Sequence, residues 1–132
     1  MFAVEIESSL VEYIRDRAEK EGTGRVIPVL GSTDNPRLPL GAVDLALIVD
    51  TYHHVDDRLA YLRLLKRVLA PGGRVAIVDW VDAMRPVGPL RKYALPRQHV
   101  VAEMREAGYE LSFAPDLLPW HYVLVFRPRA GG

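Results

Sequence analysis

Val43-Asp44-Leu45-Ala46-Leu47-Ile48-Val49-Asp50, followed directly by Thr51-Tyr52-His53-His54, is the stretch on which the fold of this chain turns. Leu45 to Val49 is an unbroken apolar run that stops at an aspartate. A strand with one wet face alternates polar and apolar residues, and this one does not. Uninterrupted apolar strands belong inside parallel sheets that carry helices on both faces. In such sheets ligands bind just beyond the carboxyl ends of the strands. Asp50 to His54 is therefore expected at the mouth of a site.

The flanking segments supply the rest of such a sheet. Before the central strand, Phe2 to Glu5 reads as a short strand. Ser9-Leu10-Val11-Glu12 has the spacing of a capping box and predicts a helix from Ser9. Leu10, Ile14 and Ala18 recur at helical spacing as its buried stripe, and Gly22 suits a left-handed stop. Val26 to Leu30 predicts a second strand, with Pro28 pointing to an edge position. Residues 31–41 form a loop marked by Pro36 and Pro39.

After the central strand, Asp56 or Asp57 can cap a helix whose apolar positions are Leu59, Leu62, Leu65 and Leu69. Pro71-Gly72-Gly73 ends that helix, and Arg74 to Trp80 is a strand. Residues 81–96 read as an exposed loop that can serve as a lid. A third helix is predicted over Gln98 to Ala107, with Val100, Met104 and Ala107 on one face. Tyr109 to Phe113 and His121 to Phe126 are two strands whose connection is too short for a crossover helix, so they form an antiparallel hairpin. The sum is one α/β domain over residues 1–132: a doubly wound, Rossmann-like sheet closed by a C-terminal antiparallel hairpin.

Composition narrows the function classes. Seventeen basic residues balance seventeen acidic ones, so no net field favours nucleic acid or an anionic membrane. No apolar run approaches the ~20 residues of a membrane helix. The N-terminus has no basic segment or cleavage site of a signal peptide, and the cytoplasm is the expected setting. The absence of cysteine excludes disulfides and thiolate chemistry.

These motifs resemble the class I S-adenosylmethionine-dependent methyltransferases, in particular the small-molecule branch, over about residues 2–127. Phe2-Ala3-Val4-Glu5-Ile6 resembles the family's second strand. The resemblance implies that Glu5 accepts hydrogen bonds from the ribose hydroxyls and that Ile6 packs on adenine. Gly31-Ser32-Thr33-Asp34 is similar to the loop that meets the adenine edge, which puts Thr33 and Asp34 at the cofactor, Asp34 as acceptor for the amino group. Asp44 to Ile48 with Tyr52-His53-His54 resembles the fourth strand and its mouth, so Asp50 and Tyr52 line the cofactor or substrate pocket. Leu69-Ala70-Pro71-Gly72-Gly73-Arg74 resembles the turn into the fifth strand and is the most specific match. The cofactor implied is S-adenosylmethionine and the partner a small-molecule methyl acceptor.

One departure stands against these matches. The family begins with a strand and a Gly-x-Gly-x-Gly loop, and here nothing precedes Phe2 and no such cluster occurs elsewhere. In the family's sheet order, 3-2-1-4-5-7-6, that strand is the middle one, so the sheet is truncated at its centre. Strands 2–5 and 43–50 are each expected to have a bare edge, at about 1–3 kcal/mol per unpaired buried backbone group. The two strands can pair directly, a partner chain can donate a strand, or two copies can associate through the edges. A homodimer is the expectation.

Each candidate side chain also has a plain structural reading. Glu5 suits a helix dipole, and Asp34 an Asx turn. His53 or His54 is expected to act as hydrogen-bond donor or base near the acceptor. With Asp56 and Asp57 they lack the spacing of a metal site. Asp79-Trp80 can orient or cover a substrate, while the lone His99 and His121 read as structural. The first functional reading is methyl transfer to an O, N or C nucleophile. The second is a non-catalytic descendant acting through dimerisation or a partner chain. A nucleotide-binding oxidoreductase is a third, which would also need a glycine fingerprint.

Overall fold

A computed structural model describes residues 1–82, 86, 88, 90 and 94–130. The order of elements is β1 (Phe2–Glu5), α1 (Ser8–Lys20), β2 (Ile27–Leu30), β3 (Val43–Val49), a 3-10 turn (Tyr52–His54), α2 (Arg58–Val68), β4 (Leu69–Trp80), α3 (Arg97–Glu106), β5 (Tyr109–Phe113) and β6 (His121–Pro128). The strands form two sheets, β1-β2 and β3-β4-β6-β5. β1 runs parallel to β2 and β3 parallel to β4, whereas β6 is antiparallel to both β4 and β5. Among the described residues this is the anticipated order without its central strand. β1 and β3 do not pair across the gap, which removes direct pairing from the three ways of closing it.

The core lies on one face of the four-stranded sheet. Val75 and Ile77 of β4 and Leu124 and Phe126 of β6 are fully buried, and pair directly as Val75↔Phe126 and Ile77↔Leu124. Leu62 and Leu65 of α2, Val100 and Met104 of α3, and Tyr109 complete the same cluster. Fully burying each such side chain contributes roughly 1.5–3 kcal/mol. The opposite face differs from expectation. Leu45, Leu47 and Val49 are 56%, 61% and 46% exposed, so the apolar run that predicted cover on both faces has it on one.

Several boundaries shift for local reasons. α1 starts at Ser8, with extended Glu7 at its N-cap accepting from the Leu10 and Val11 amides; Ser9 sits inside the helix and caps nothing. The stripe is correspondingly turned: Val11 is buried while Leu10 is exposed. Asp57 is the cap of α2, its side chain accepting from the Ala60 amide at 3.1 Å. That helix ends at Val68, because Leu69 is already paired with Val43 in the sheet, and Gly72 takes a left-handed φ of 78° within the irregular start of β4. β2 begins at Ile27 and is an edge strand, as Pro28 implied. Of the expected 81–96 lid, residues 83–85, 87, 89 and 91–93 lie outside the described residues.

Candidate functional site

Two groups of side chains stand beyond the carboxyl ends of the parallel strands, one on each side of the gap. The first belongs to β1 and β2. Their register sets Glu5 opposite Leu30, and the Gly31 amide donates to the Glu5 carbonyl at 2.9 Å. Glu5 Oε1 accepts from the Ile6 amide at 2.7 Å, which turns the carboxylate back over the strand end. Gly31 is required by close approach: a Cβ there would meet Val4 Cγ1 at 2.8 Å and the Asn35 carbonyl at 3.1 Å. Asp34 folds over the loop, its Oδ1 accepting from Ser32 Oγ, while Thr33 is exposed. Glu5, Ile6, Thr33 and Asp34 are thus brought together. A half-buried carboxylate at the strand end, an exposed apolar residue beside it and a close-packed glycine turn fit a ribose and an adenine edge.

The second group is built on β3, β4 and β6. Asp50 leaves β3 with a left-handed φ of 52°, a conformation uncommon for a residue with a side chain and one that concentrates at functional sites. Its amide still donates to the Val78 carbonyl at 2.9 Å, so the kink sits where β3 stops. Beside it, Asp79 is wholly buried. Its Oδ1 accepts from the Trp80 amide at 2.8 Å, and its Oδ2 lies 3.0 Å from His53 Nδ1. An ionised carboxylate only accepts, so Nδ1 is the donor to Asp79, and in the neutral imidazole this tautomer leaves the Nε2 lone pair free. Exposed His54 stands with its ring 4.0 Å from that of His53.

His121, expected to stand alone, has partners at the mouth. Its Nε2 lies 2.9 Å from Asp50 Oδ1 and its ring 4.0 Å from that of Trp80. Because β6 is antiparallel, its first residue stands at the end of the sheet where β3 and β4 finish, and Trp80 pairs with His121 directly. That strand direction was the available signal. The mouth therefore holds two histidine–aspartate pairs, His53–Asp79 and His121–Asp50.

Tyr52 departs from the expected pocket lining, for its side chain enters the core and is only 1% exposed. Its hydroxyl donates to Glu103 Oε2 at 2.6 Å. Arg58 grips the same carboxylate with Nε on Oε2 and Nη2 on Oε1, both at 2.7 Å, and His99 Nε2 lies 2.8 Å from Oε1. Burial alone would raise the Glu103 pKa. The hydrogen bonds from Arg58 and Tyr52 and the neighbouring positive charge outweigh it and hold the carboxyl at about 2. Burial, then the bond to Glu103, pushes the Tyr52 hydroxyl far above its usual range. Among the described residues, no group of three or more His, Asp or Glu is placed to hold a metal ion, and no helix is long and apolar enough to cross a membrane.

A sheet whose parallel strands end in a carboxylate on one side and a histidine–carboxylate mouth on the other, closed by a reversed strand, has the class I methyltransferase architecture. The signature of a family described as a methyltransferase domain matches residues 1–77, more than half of the sequence, and the chain belongs to that S-adenosylmethionine-dependent family. A 27-O-demethylrifamycin SV methyltransferase from Amycolatopsis mediterranei is 28% identical over 127 residues, covering 86% of this chain and 47% of its own length. A SAM-dependent methyltransferase structure from Aquifex aeolicus superposes with a TM-score of 0.89 at 23% identity, over 95% of this chain and 66% of that one. An O-methyltransferase of neocarzinostatin biosynthesis, in complex with S-adenosyl-L-homocysteine and 1,4-dihydroxy-2-naphthoic acid, gives a TM-score of 0.77 at 18% identity, over 96% and 41% of the two chains. The chain spans about half the length of the curated relative it matches.

Proposed function

We propose that this chain supplies the ribose–adenine edge and the acceptor side of a methyltransferase that methylates a hydroxyl on a small molecule, with the cytoplasm as its setting. The observation that carries the reading is the His53–Asp79 pair, with a fully buried carboxylate behind an imidazole at the carboxyl end of the central strands. Bound S-adenosylmethionine supplies an already activated methyl group, so the protein's tasks are orientation and proton removal. In this reading Glu5 takes the ribose hydroxyls, Ile6 and Thr33 flank the adenine and Asp34 accepts from its amino group. Asp50 lines the space between cofactor and acceptor. His53 accepts the hydroxyl proton on Nε2 while Asp79 holds its ring, and His54 lies on the outer side of that base. The names of the rifamycin and neocarzinostatin relatives support a hydroxyl acceptor on a small molecule.

The gap between β1 and β3 sets the condition for activity. Val4, Ile6, Leu10 and Tyr13 on one lip and Leu45, Leu47 and Val49 on the other are all large and exposed. Cover from a second copy of the chain, or from another segment that adds a strand, would pair both edges and bury this apolar strip. The same strip favours the second reading, in which the chain is a non-catalytic subunit acting through that surface.

Calorimetric titration with S-adenosylhomocysteine, with scattering on the same sample, separates the two. Micromolar binding, about −8 kcal/mol, weakened by Glu5→Ala and accompanied by a dimeric mass, is expected. No binding at millimolar ligand leaves the non-catalytic reading, and a clean monomer removes the homodimer.

A further inference from the structure

The best-connected polar cluster among the described residues lies outside the mouth, yet its first member is the residue next to His53. Tyr52 and His53 are consecutive in one 3-10 turn, in which successive side chains leave the axis about 120° apart. Tyr52 goes inward to Glu103 and His53 goes to Asp79. The turn itself is closed by the His54 amide on the Thr51 carbonyl and the Val55 amide on the Tyr52 carbonyl, and Thr51 Oγ1 ties it to Val49 at 2.7 Å. Glu103 belongs to α3 and receives from Tyr52, twice from Arg58 at the start of α2, and from His99 one turn before it. The Arg58 guanidinium also stands 5.5 Å from the centre of the Tyr52 ring.

In such half-buried charged clusters desolvation offsets much of the attraction, which leaves the fixing of geometry as a further role. The geometry fixed here is the direction of a two-hydrogen-bond turn whose next side chain must meet a buried aspartate. We infer that Tyr52, Glu103 and Arg58 are positioning residues: they lock the 3-10 turn from behind, so that His53 is held with Nδ1 on Asp79 and Nε2 presented to the acceptor. The catalytic part of this inference rests on the proposed role of His53; the positioning part does not.

The test reads the imidazole itself. Long-range proton–nitrogen correlation spectra of the full chain, at mildly alkaline pH, distinguish the Nδ1–H from the Nε2–H tautomer of His53. The unaltered chain should show Nδ1–H. Tyr52→Phe and Glu103→Ala should each move the tautomer ratio towards Nε2–H by about fivefold, the effect of one lost hydrogen bond. Glu103→Gln keeps an acceptor for Tyr52 and should stay within about twofold of the unaltered ratio. Asp57→Ala removes the α2 cap one residue before Arg58 and leaves every side chain of the cluster in place; it should lower the melting temperature and leave the ratio alone. The inference is overturned if Tyr52→Phe retains the original ratio, or if Asp57→Ala shifts it equally. Loss of methyl transfer in His53→Ala reports separately on whether that histidine is the base, so the two failures cannot be confused.

Discussion

The two sheets of this molecule bury themselves very differently. In the β3-β4-β6-β5 sheet, Val75, Ile77, Leu124 and Phe126 have no exposed surface, and two helices press on them. In the β1-α1-β2 unit, Val11 is the buried apolar residue of the helix, while Ile27 and Leu30 of β2 are 50% and 42% exposed. The carboxylate assigned to the ribose lies in the thin unit and the histidine–aspartate pairs lie in the thick one. In the reading proposed above, such a chain keeps its acceptor side organised while its cofactor edge depends on what binds or covers it. Cooperative units of unequal stability within one chain are ordinary, and ligand sites are drawn from the weaker ones.

The strongest way to sharpen this contrast is a double dissociation. Asp79→Asn should lower turnover against hydroxylated acceptors by about 10²–10⁴-fold, the usual range for losing an oriented base, while S-adenosylhomocysteine affinity stays put. Glu5→Ala should do the reverse. If both variants lose binding equally, the two sheets act as one unit and the contrast is broken.

Stability should divide along the same line. Phe126→Ala is expected to cost about 3–5 kcal/mol in urea unfolding, whereas Ile27→Ala, half-exposed, should cost less than about 1 kcal/mol. Comparable losses would show that the thin sheet carries more of the fold than its exposure implies.

Acid should weaken the thick unit through Glu103. Its folded pKa, about 2, lies below the ordinary carboxyl value of 4.5. A depressed folded value means stability that is present above the unfolded pKa and lost as pH falls through the folded one. The loss should therefore run from about pH 4.5 down to 2. About 2 kcal/mol is expected once partial solvent screening is allowed for. Glu103→Gln should flatten that part of the pH–stability curve. Asp57→Ala should cost about 1 kcal/mol, the worth of one helix cap, seen as a lower urea midpoint with an unchanged slope.

Local pattern carried most of the fold. The apolar run ending at Asp50, the Pro71-Gly72-Gly73 turn and the short link between the last two strands are short-range signals, and each element they imply is present. What misled was a local signal with a local competitor. Ser9 has the capping spacing, but extended Glu7 already takes the first helical amides, so the helix begins earlier. At the mouth, the nearness of His53 and Asp79 was legible because one follows the end of β3 and the other lies at the end of β4, its parallel neighbour. The direction of Tyr52 was not, since it is set by Glu103, 51 residues away. The partner of His121 required knowing that β6 runs back to the mouth, which strand polarity alone does supply.

That backward run of β6 has a consequence for the order in which the molecule is assembled. His121 meets Asp50 across 71 residues of sequence, one of the longest loops the chain must close, and loop closure precedes the contacts that reward it. On a ribosome β1 and β2 emerge before the mouth and can pair early. The acceptor mouth waits until nearly the last strand has emerged and turned back. The mouth is thus completed late, and a nascent chain stopped before residue 121 carries His53 and Asp79 beside an unfinished wall.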